Sequence, residues 1–497
     1  MASPLANLPL ITSPLTTLPL LIATVSLAIW FSRRRLPGIP PGPPLTPILG
    51  NLPQIIANNQ QQLYETLRDK FGDIFSLYIA NQLVVVLNNY NLIKTAFVKN
   101  ADVISDRLPG IRMIEGQTRG IIATSGSLWK SHRKFALMTL RNFGFGKFSL
   151  EKNIHDEIGN FLNAMGEKGE ANFDPKNLVN TSISNIICSM TFGKRFQYSD
   201  PEFIDLMEVF QTVIQSKRVL ILLKFLKYLP IDIMGSKAEK NSIDKYTKFI
   251  TKMYNEHMET FDENNIRDYT DAFILEMKTR EKNNEVETTF TSSQLFGEIM
   301  DLFQAGTETT STAIRWALLY LIKHPEVQGK MRAEMDEVIG KDRLPSLKDK
   351  TDLPYCEATI MEVLRIANIA PTGVPHYTSQ DTILNGFRIP KTTIVIANLD
   401  SVLNDPNLWR EPHKFQPERF IKADGSLDKP DEFIPFSIGR RVCLGESLAR
   451  MELFLFLTSM VQRFEFLMPD DEDLPGMDGI RGITHSPHPY KLRVQRM

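Results

Sequence analysis

The sequence predicts a mainly α-helical protein with small β-sheets, carried behind an N-terminal transmembrane signal-anchor helix. Three observations lead there. Most of the 497 residues space their apolar side chains at a helical period. Only short stretches are rich in β-branched and aromatic residues and broken by turn signals. Residues 1–32 carry no charged side chain, and an arginine triplet follows at once.

Residues 11–31 (ITSPLTTLPLLIATVSLAIWF) are long enough to cross a bilayer. Trp30 and Phe31 sit where an interfacial aromatic anchor belongs, just ahead of Arg33, Arg34 and Arg35. A cleaved secretory signal carries its positive charge before the apolar core, and here it comes after. The positive-inside rule puts the N-terminus in the lumen and the rest in the cytosol. Residues 1–35 are therefore read as luminal N-terminus, anchor and basic stop. Residues 36–47 (LPGIPPGPPLTP) form a stiff linker because proline fixes φ and favours extended geometry. Residues 48–497 make up the folded domain.

Within that domain, residues 74–89 are β-like around an Asn81–Gln82 turn. Residues 381–399 read as one hairpin turned at Asn385–Gly386, which supply positive φ. Thr291 and Gln294 have capping-box spacing and open a helix that runs to Pro325. At roughly 30 residues it would span about 45 Å. A helix this apolar crosses the core, yet it carries Asp301, Glu308, Thr309 and Thr310, which are costly there unless paired or used. Asp301 has two readings: an acceptor for backbone N–H groups in the loop before Trp129, or a site for a cationic substrate. Residues 218–229 (RVLILLKFLKYL) form an amphipathic segment, either packed on the core or lying in a bilayer surface with Lys224 and Lys227 toward the headgroups.

Charge is balanced, with 57 Lys plus Arg against 58 Asp plus Glu, which leaves no global field to attract nucleic acid. Cys188, Cys356 and Cys443 are odd in number, far apart and without the paired spacing of a zinc site, so a reducing compartment fits. The chemistry concentrates in FSIGRRVCLG, residues 436–445, just before an apolar helix. A small buried structural cysteine is the plain reading of Cys443.

Phe436-x-x-Gly439-x-Arg441-x-Cys443-x-Gly445 resembles the haem-binding signature of the cytochrome P450 monooxygenases at every fixed position. WKSHR (129–133), AGTETT (305–310), EVLR (362–365) and PERF (417–420) resemble four further segments of that family, in its order. PPGPP and the anchor before it are similar to those of microsomal members, so the resemblance spans nearly the whole chain. It implies a P450 fold holding haem b (iron protoporphyrin IX) with an axial cysteine thiolate, here Cys443. Trp129, Arg133, Arg441 and His376 are then expected at the propionates. Glu362, Arg365 and Arg419 are expected as a buried ion-pair core serving fold and haem incorporation.

These positions make chemical sense. A thiolate ligand feeds electron density to haem iron and favours O–O cleavage. The helix starting near Glu446 offers backbone N–H groups and a positive end to that charge. Gly439 and Gly445 let backbone approach a flat macrocycle, and Phe436 shields the sulfur from water. On the opposite face Ala305 and Gly306 leave room for a ligand. Glu308 and Thr309 provide an acid and an alcohol for catalytic proton delivery. The competing reading has Thr309 bonding back to its own helix and bending it.

The expected function is insertion of one oxygen atom of dioxygen into a lipophilic xenobiotic, fatty acid or steroid. ALMTLRNFGFGK (136–147) is similar to the animal microsomal group with such substrates. Electrons come from NADPH indirectly, through a membrane-bound flavoprotein reductase, with cytochrome b5 as a further candidate partner. Lys130, Lys134 and Arg440 form the candidate basic docking face. The expected location is the endoplasmic reticulum membrane (the microsomal fraction), single-pass, with the catalytic domain cytosolic. A haem-thiolate isomerase or dehydratase and a non-catalytic membrane haem or lipid binder are the alternatives. Pocket walls are expected from residues 108–126, 370–374 and 482–486, whose apolar residues (Ile111, Met113, Ile114, Val374, Ile483) suit lipophilic ligands.

Overall fold

The computed structural model describes residues 14–32, 35–109, 113–114, 117–145, 148–207, 236–285 and 287–497. Ile111 and the 218–229 segment lie outside them. A 19-residue helix runs Pro14–Ser32, and Leu18 and Leu20 on it are 60% exposed. Among the described residues, which include the side chains of only 18–27 in this helix, no helix is long and apolar enough to cross a membrane. The signal anchor therefore rests on the sequence.

The proline-rich segment is tied to the first strand. Arg35 donates to Ser76 Oγ and to the Pro43 carbonyl, both at 2.6 Å, and Ser76 Oγ donates to the Pro40 carbonyl at 2.6 Å. A Cβ on Gly42 would lie 2.0 Å from the Ser76 carbonyl oxygen, so only glycine fits between them.

Strands β1 (Ile74–Ile79) and β2 (Gln82–Leu87) form an antiparallel hairpin in which Ile79 pairs with Gln82. The turn is thus Ala80–Asn81, one residue earlier than the sequence implies, with Ala80 at φ 51°. β3 (His376–Tyr377), β4 (Thr382–Leu384), β5 (Phe387–Ile389) and β6 (Ile394–Ala397) follow late in the chain. β4 and β5 form the expected hairpin, with Asn385 and Gly386 at φ 50° and 80°. β6 leaves that hairpin and pairs parallel with β2, giving a four-stranded sheet in the order β1-β2-β6-β3. Alternation inside 381–399 could not reveal this partner, because it lies some 300 residues away in sequence.

Helices make up the rest. The central helix Ser292–Lys323 has 32 residues; Thr291 Oγ1 accepts from Gln294 N at 3.2 Å, and the helix stops at His324 before Pro325. It packs against the helices Lys176–Phe192, Pro354–Ala367 and Glu446–Arg463. One large apolar cluster includes Trp316, Phe303, Phe454 and Phe456, and so holds the central helix rigidly beside the cysteine-loop helix Glu446–Arg463.

The ion-pair core lies at the end of Pro354–Ala367. Arg365 reaches both carboxyl oxygens of Glu362, at 2.8 and 2.9 Å, with both side chains fully buried. Arg419 Nε and the Gln416 N–H also donate to Glu362, at 3.1 and 3.0 Å. Arg365 spends its remaining donors on the carbonyls of Leu403 and Pro412. Every charged oxygen and guanidinium nitrogen thus has a use, which is what makes a buried pair tolerable.

Candidate active site

The loop ahead of the helix Glu446–Arg463 folds on its own backbone: Cys443 N donates to the Phe436 carbonyl and Val442 N to that of Gly439. Ser437 and Gly439 take positive φ, 63° and 84°. A Cβ on Gly439 would sit 2.1 Å from the Phe97 carbonyl oxygen. Gly439 is thus required by the close approach of the Phe97 backbone and does not line the cavity, contrary to its expected place against a cofactor face. Phe97 in turn stacks on His376, with ring centroids 3.7 Å apart. On Gly445 a Cβ would meet only the Cys443 sulfur, at 3.9 Å, an ordinary contact.

Cys443 opens onto a cavity of about 300 Å³, while Cys188 and Cys356 are buried elsewhere. Its accessibility is to this cavity, since the surrounding protein is dense enough for burial to raise the thiol above its ordinary pKa. The N–H groups of Gly445 and Glu446 and the charge of Arg133 oppose that rise, and the Glu446 carboxylate adds to it. The helix end thus works as expected but does not outweigh burial. A bound metal reverses this balance, because a coordinating thiol is deprotonated outright.

Ala305 and Thr309 from the central helix line the same cavity. Thr309 Oγ1 donates to the Ala305 carbonyl at 2.7 Å, so the back-bonding expected of a helical threonine is present while the residue still faces the cavity. Gly306 has its missing Cβ space filled by Ile187, 2.7 Å away, which brings the helix Lys176–Phe192 close. Asp301 Oδ2 accepts from the N–H groups of Ile121 and Ile122 at 2.6 and 2.8 Å, the structural one of its two readings. Glu308 departs from expectation. It is absent from the cavity wall and is held by Thr312 and Thr484, at 3.4 and 3.3 Å. Burial raises its carboxyl above the ordinary pKa against the charges of Arg315 and Lys176.

At one edge lies a cluster of cations. Arg441, over the Trp129 ring at 3.7 Å, donates to the carbonyls of Ser105, Ile121 and Thr124. Arg133 donates to the Val442 carbonyl, and Arg107 to those of Ile122, Val374 and Pro375. Among the described residues none of the three has a carboxylate in ion-pair range. Burial and mutual repulsion push Arg441 down to about 8 and Arg107 to about 9. A guanidinium keeps its proton in proteins, so the cluster stays charged and an anion at its edge would be favoured. Trp129 Nε1 is buried with no acceptor, though its ring sits behind Arg441 and off the cavity wall. His376 lines the cavity with Nδ1 on the Ile104 carbonyl, and burial beside Arg107 holds it well below its ordinary pKa. It binds an anion through Nε2 only as the imidazolium, which that anion would favour.

Arg107 carries none of the sequence motifs, and only a lone arginine in a loop marked it. Of the expected walls, Ile121, Ile122, Ala370 and Val374 line the cavity; residues 482–486 do not, and Thr484 instead contacts Glu308. Arg440 pairs with Asp102 on the surface.

A cytochrome P450 family model matches residues 40–494. The chain belongs to the cytochrome P450 family. It is 40% identical to cytochrome P450 2U1 of Bos taurus over 511 aligned positions, covering 96% of this chain and 93% of the relative. It is also 39% identical to the Homo sapiens 2U1 protein (94% and 91% covered) and 40% identical to Homo sapiens cytochrome P450 2D6 (91% and 92%). Membership makes this P450 a monooxygenase that uses haem with a cysteine thiolate ligand and NADPH through a reductase. The residues fit that cofactor: a cysteine facing a largely apolar cavity and, among the described residues, cations at its edge without a carboxylate in ion-pair range and a buried indole N–H without an acceptor.

Proposed function

We propose that Cys443 would supply the thiolate ligand to haem and that Arg107, Arg133, Arg441, Trp129 and His376 would hold its two propionates. The single observation that carries this reading is a guanidinium cluster, with no carboxylate in ion-pair range among the described residues, beside a cavity-facing cysteine. Bound haem supplies reductive activation of dioxygen, sending one oxygen atom to substrate and the other to water with two electrons and two protons. Phe436 covers the sulfur side and is itself covered by Arg450, whose guanidinium lies 4.9 Å from the ring centroid. Ala305 leaves space on the opposite face, and Thr309 presents a hydroxyl there that holds and hands on protons. Glu308 takes part only from outside the cavity, by turning from Thr484 and Thr312.

The cavity wall is apolar around Ile121, Ile187, Ala313 and Leu364, which favours a lipophilic xenobiotic, fatty acid or steroid. Electron delivery is assigned to a flavoprotein reductase, with cytochrome b5 as a second donor, on the face bearing exposed Lys130 and Lys134. Residues 1–35 serve as the single-pass anchor in the endoplasmic reticulum membrane, 36–47 as the linker and 48–497 as the cytosolic catalytic domain.

The test is reconstitution with reductase, NADPH and isotopically heavy dioxygen over a panel of fatty acids, steroids and drug-like compounds. One heavy oxygen atom per product, formed only with reductase present, is the expected result. Product formed equally well without reductase would make the chain an isomerase or dehydratase. Haem binding with no turnover of any compound would leave a binder.

A further inference from the structure

His132, in the helix Gly126–Asn142, and Glu298, in the central helix, are fully buried yet do not line the cavity. His132 Nδ1 lies 2.5 Å from Glu298 Oε1, within ion-pair range but outside hydrogen-bond geometry. Its Nε2 meets the hydroxyl of exposed Thr289 at 2.9 Å, and its ring centroid is 4.3 Å from that of Phe290. Tyr269 donates its hydroxyl to Glu298 Oε2, and Gln294 Nε2 donates to Oε1 at 3.0 Å. Apolar side chains of similar volume would pack such a site at least as well, so stability alone does not explain the pair.

What the pair fixes is Gln294, itself fully buried. A carboxylate only accepts, so the amide turns its NH₂ toward Glu298. The same NH₂ reaches the Gly120 carbonyl at 3.2 Å, and Oε1 accepts from the Gly120 N–H at 3.3 Å. Gly120 lies hard on the central helix, where a Cβ on Gly297 would come 2.6 Å from its nitrogen. The residues after Gly120 hold the cations of the site. Arg441 donates to the carbonyls of Ile121 and Thr124, and Arg107 to that of Ile122. We propose that His132 and Glu298 are positioning residues, which lock Gln294 so that residues 120–124 hold Arg107 and Arg441 where the haem propionates bind. Their effect on haem is indirect, because it passes through Gln294 and the loop backbone. This deepens the proposed function and rests on its reading of Arg107 and Arg441 as propionate-binding residues.

Variants of the haem-loaded full chain test it by three readouts: folded yield, the rate of haem transfer to an excess of a haem-scavenging apoprotein, and the haem reduction potential. Glu298→Gln leaves His132 without its acid and should lower yield and speed haem loss. The triple variant H132L/E298L/Y269F removes the polar group together, so no buried charge is left behind. It should recover the yield yet still lose haem about 10-fold faster than wild type, the low end of the about 10–100-fold effects of residues that orient ligands. Gln294→Met keeps the pair but cuts its link to Gly120, and should lose haem at a similar rate. In both, the potential should fall, because the propionate charge is less well neutralised. A merely structural pair would let the triple variant regain haem retention and potential along with yield, and that result overturns the proposal. If the triple variant does not fold, Q294M decides, and wild-type haem loss and potential in it overturn the proposal. Arg441→Met is the control: if it too keeps wild-type values, the propionate reading itself fails and the inference falls with it.

Discussion

Replacing Glu362 by glutamine should be among the most destructive conservative changes in this protein. The carboxylate is fully buried and accepts from Arg365 twice, from Arg419 and from the Gln416 N–H. Glutamine keeps the shape but removes the charge, and it turns one acceptor into an NH₂ donor aimed at another donor. Two buried guanidiniums then lose their counter-charge. Breaking such a pair costs about 3–5 kcal/mol. Charge-assisted hydrogen bonds are individually about 1.5–3 kcal/mol, but they describe the same loss and are not added again. Against a typical folding margin of about 5–15 kcal/mol, that is roughly a fifth of the total or more. The assay is the denaturant midpoint and haem content of E362Q, R365M and the double variant. The double should lose less than the sum of the singles, since each change removes the other's orphan charge. A value for E362Q within about 1 kcal/mol of wild type, the scale of an ordinary substitution, would refute the reasoning.

Thr309→Ala should bind haem normally but consume NADPH with more peroxide and less product; unchanged product per NADPH would leave Thr309 only its bond to Ala305. Gly439→Ala forces a methyl to 2.1 Å from the Phe97 carbonyl oxygen at φ 84°, so haem-loaded yield should collapse. Normal yield would mean that the loop has another conformation. For His257, burial lowers the pKa, but the hydrogen bond and charge of Asp268, with the Met253 carbonyl and Asp271, raise it net above 6.5. Because the folded pKa is raised, its stabilisation is fully present below pH 6.5 and fades as pH rises through the folded value. His257→Gln should therefore destabilise most in mild acid and least above that folded value; a pH-independent loss would show a packing role alone.

What was legible in the sequence was whatever short-range chemistry writes there. The Thr291 cap, the stop at Pro325 and the Asn385–Gly386 turn all depend on neighbours within a few residues, and each was found where expected. The separation of β6 from its apparent hairpin was hidden, because its partner β2 is far off in sequence. The site divides in the same way. Cys443, Ala305, Thr309 and His376 face the cavity as their motifs imply. Glu308 does not, because Thr312 and the sequence-distant Thr484 take up its carboxyl group instead. Arg107 was missed because its meaning comes from what surrounds it in space, a group of like charges.

The account depends most on the sulfur of Cys443. The absorption spectrum of the reduced, carbon-monoxide-bound protein reports that ligand directly, compared across wild type, Cys443→Ala, Cys188→Ala and Cys356→Ala. Wild type should show the strongly red-shifted Soret band of thiolate ligation. Cys188→Ala and Cys356→Ala should keep it, because both thiols are buried away from the cavity with their pKa well above the ordinary value. Cys443→Ala should lose the band together with all monooxygenation. A folded, haem-loaded Cys443→Ala protein that keeps the band would contradict the account.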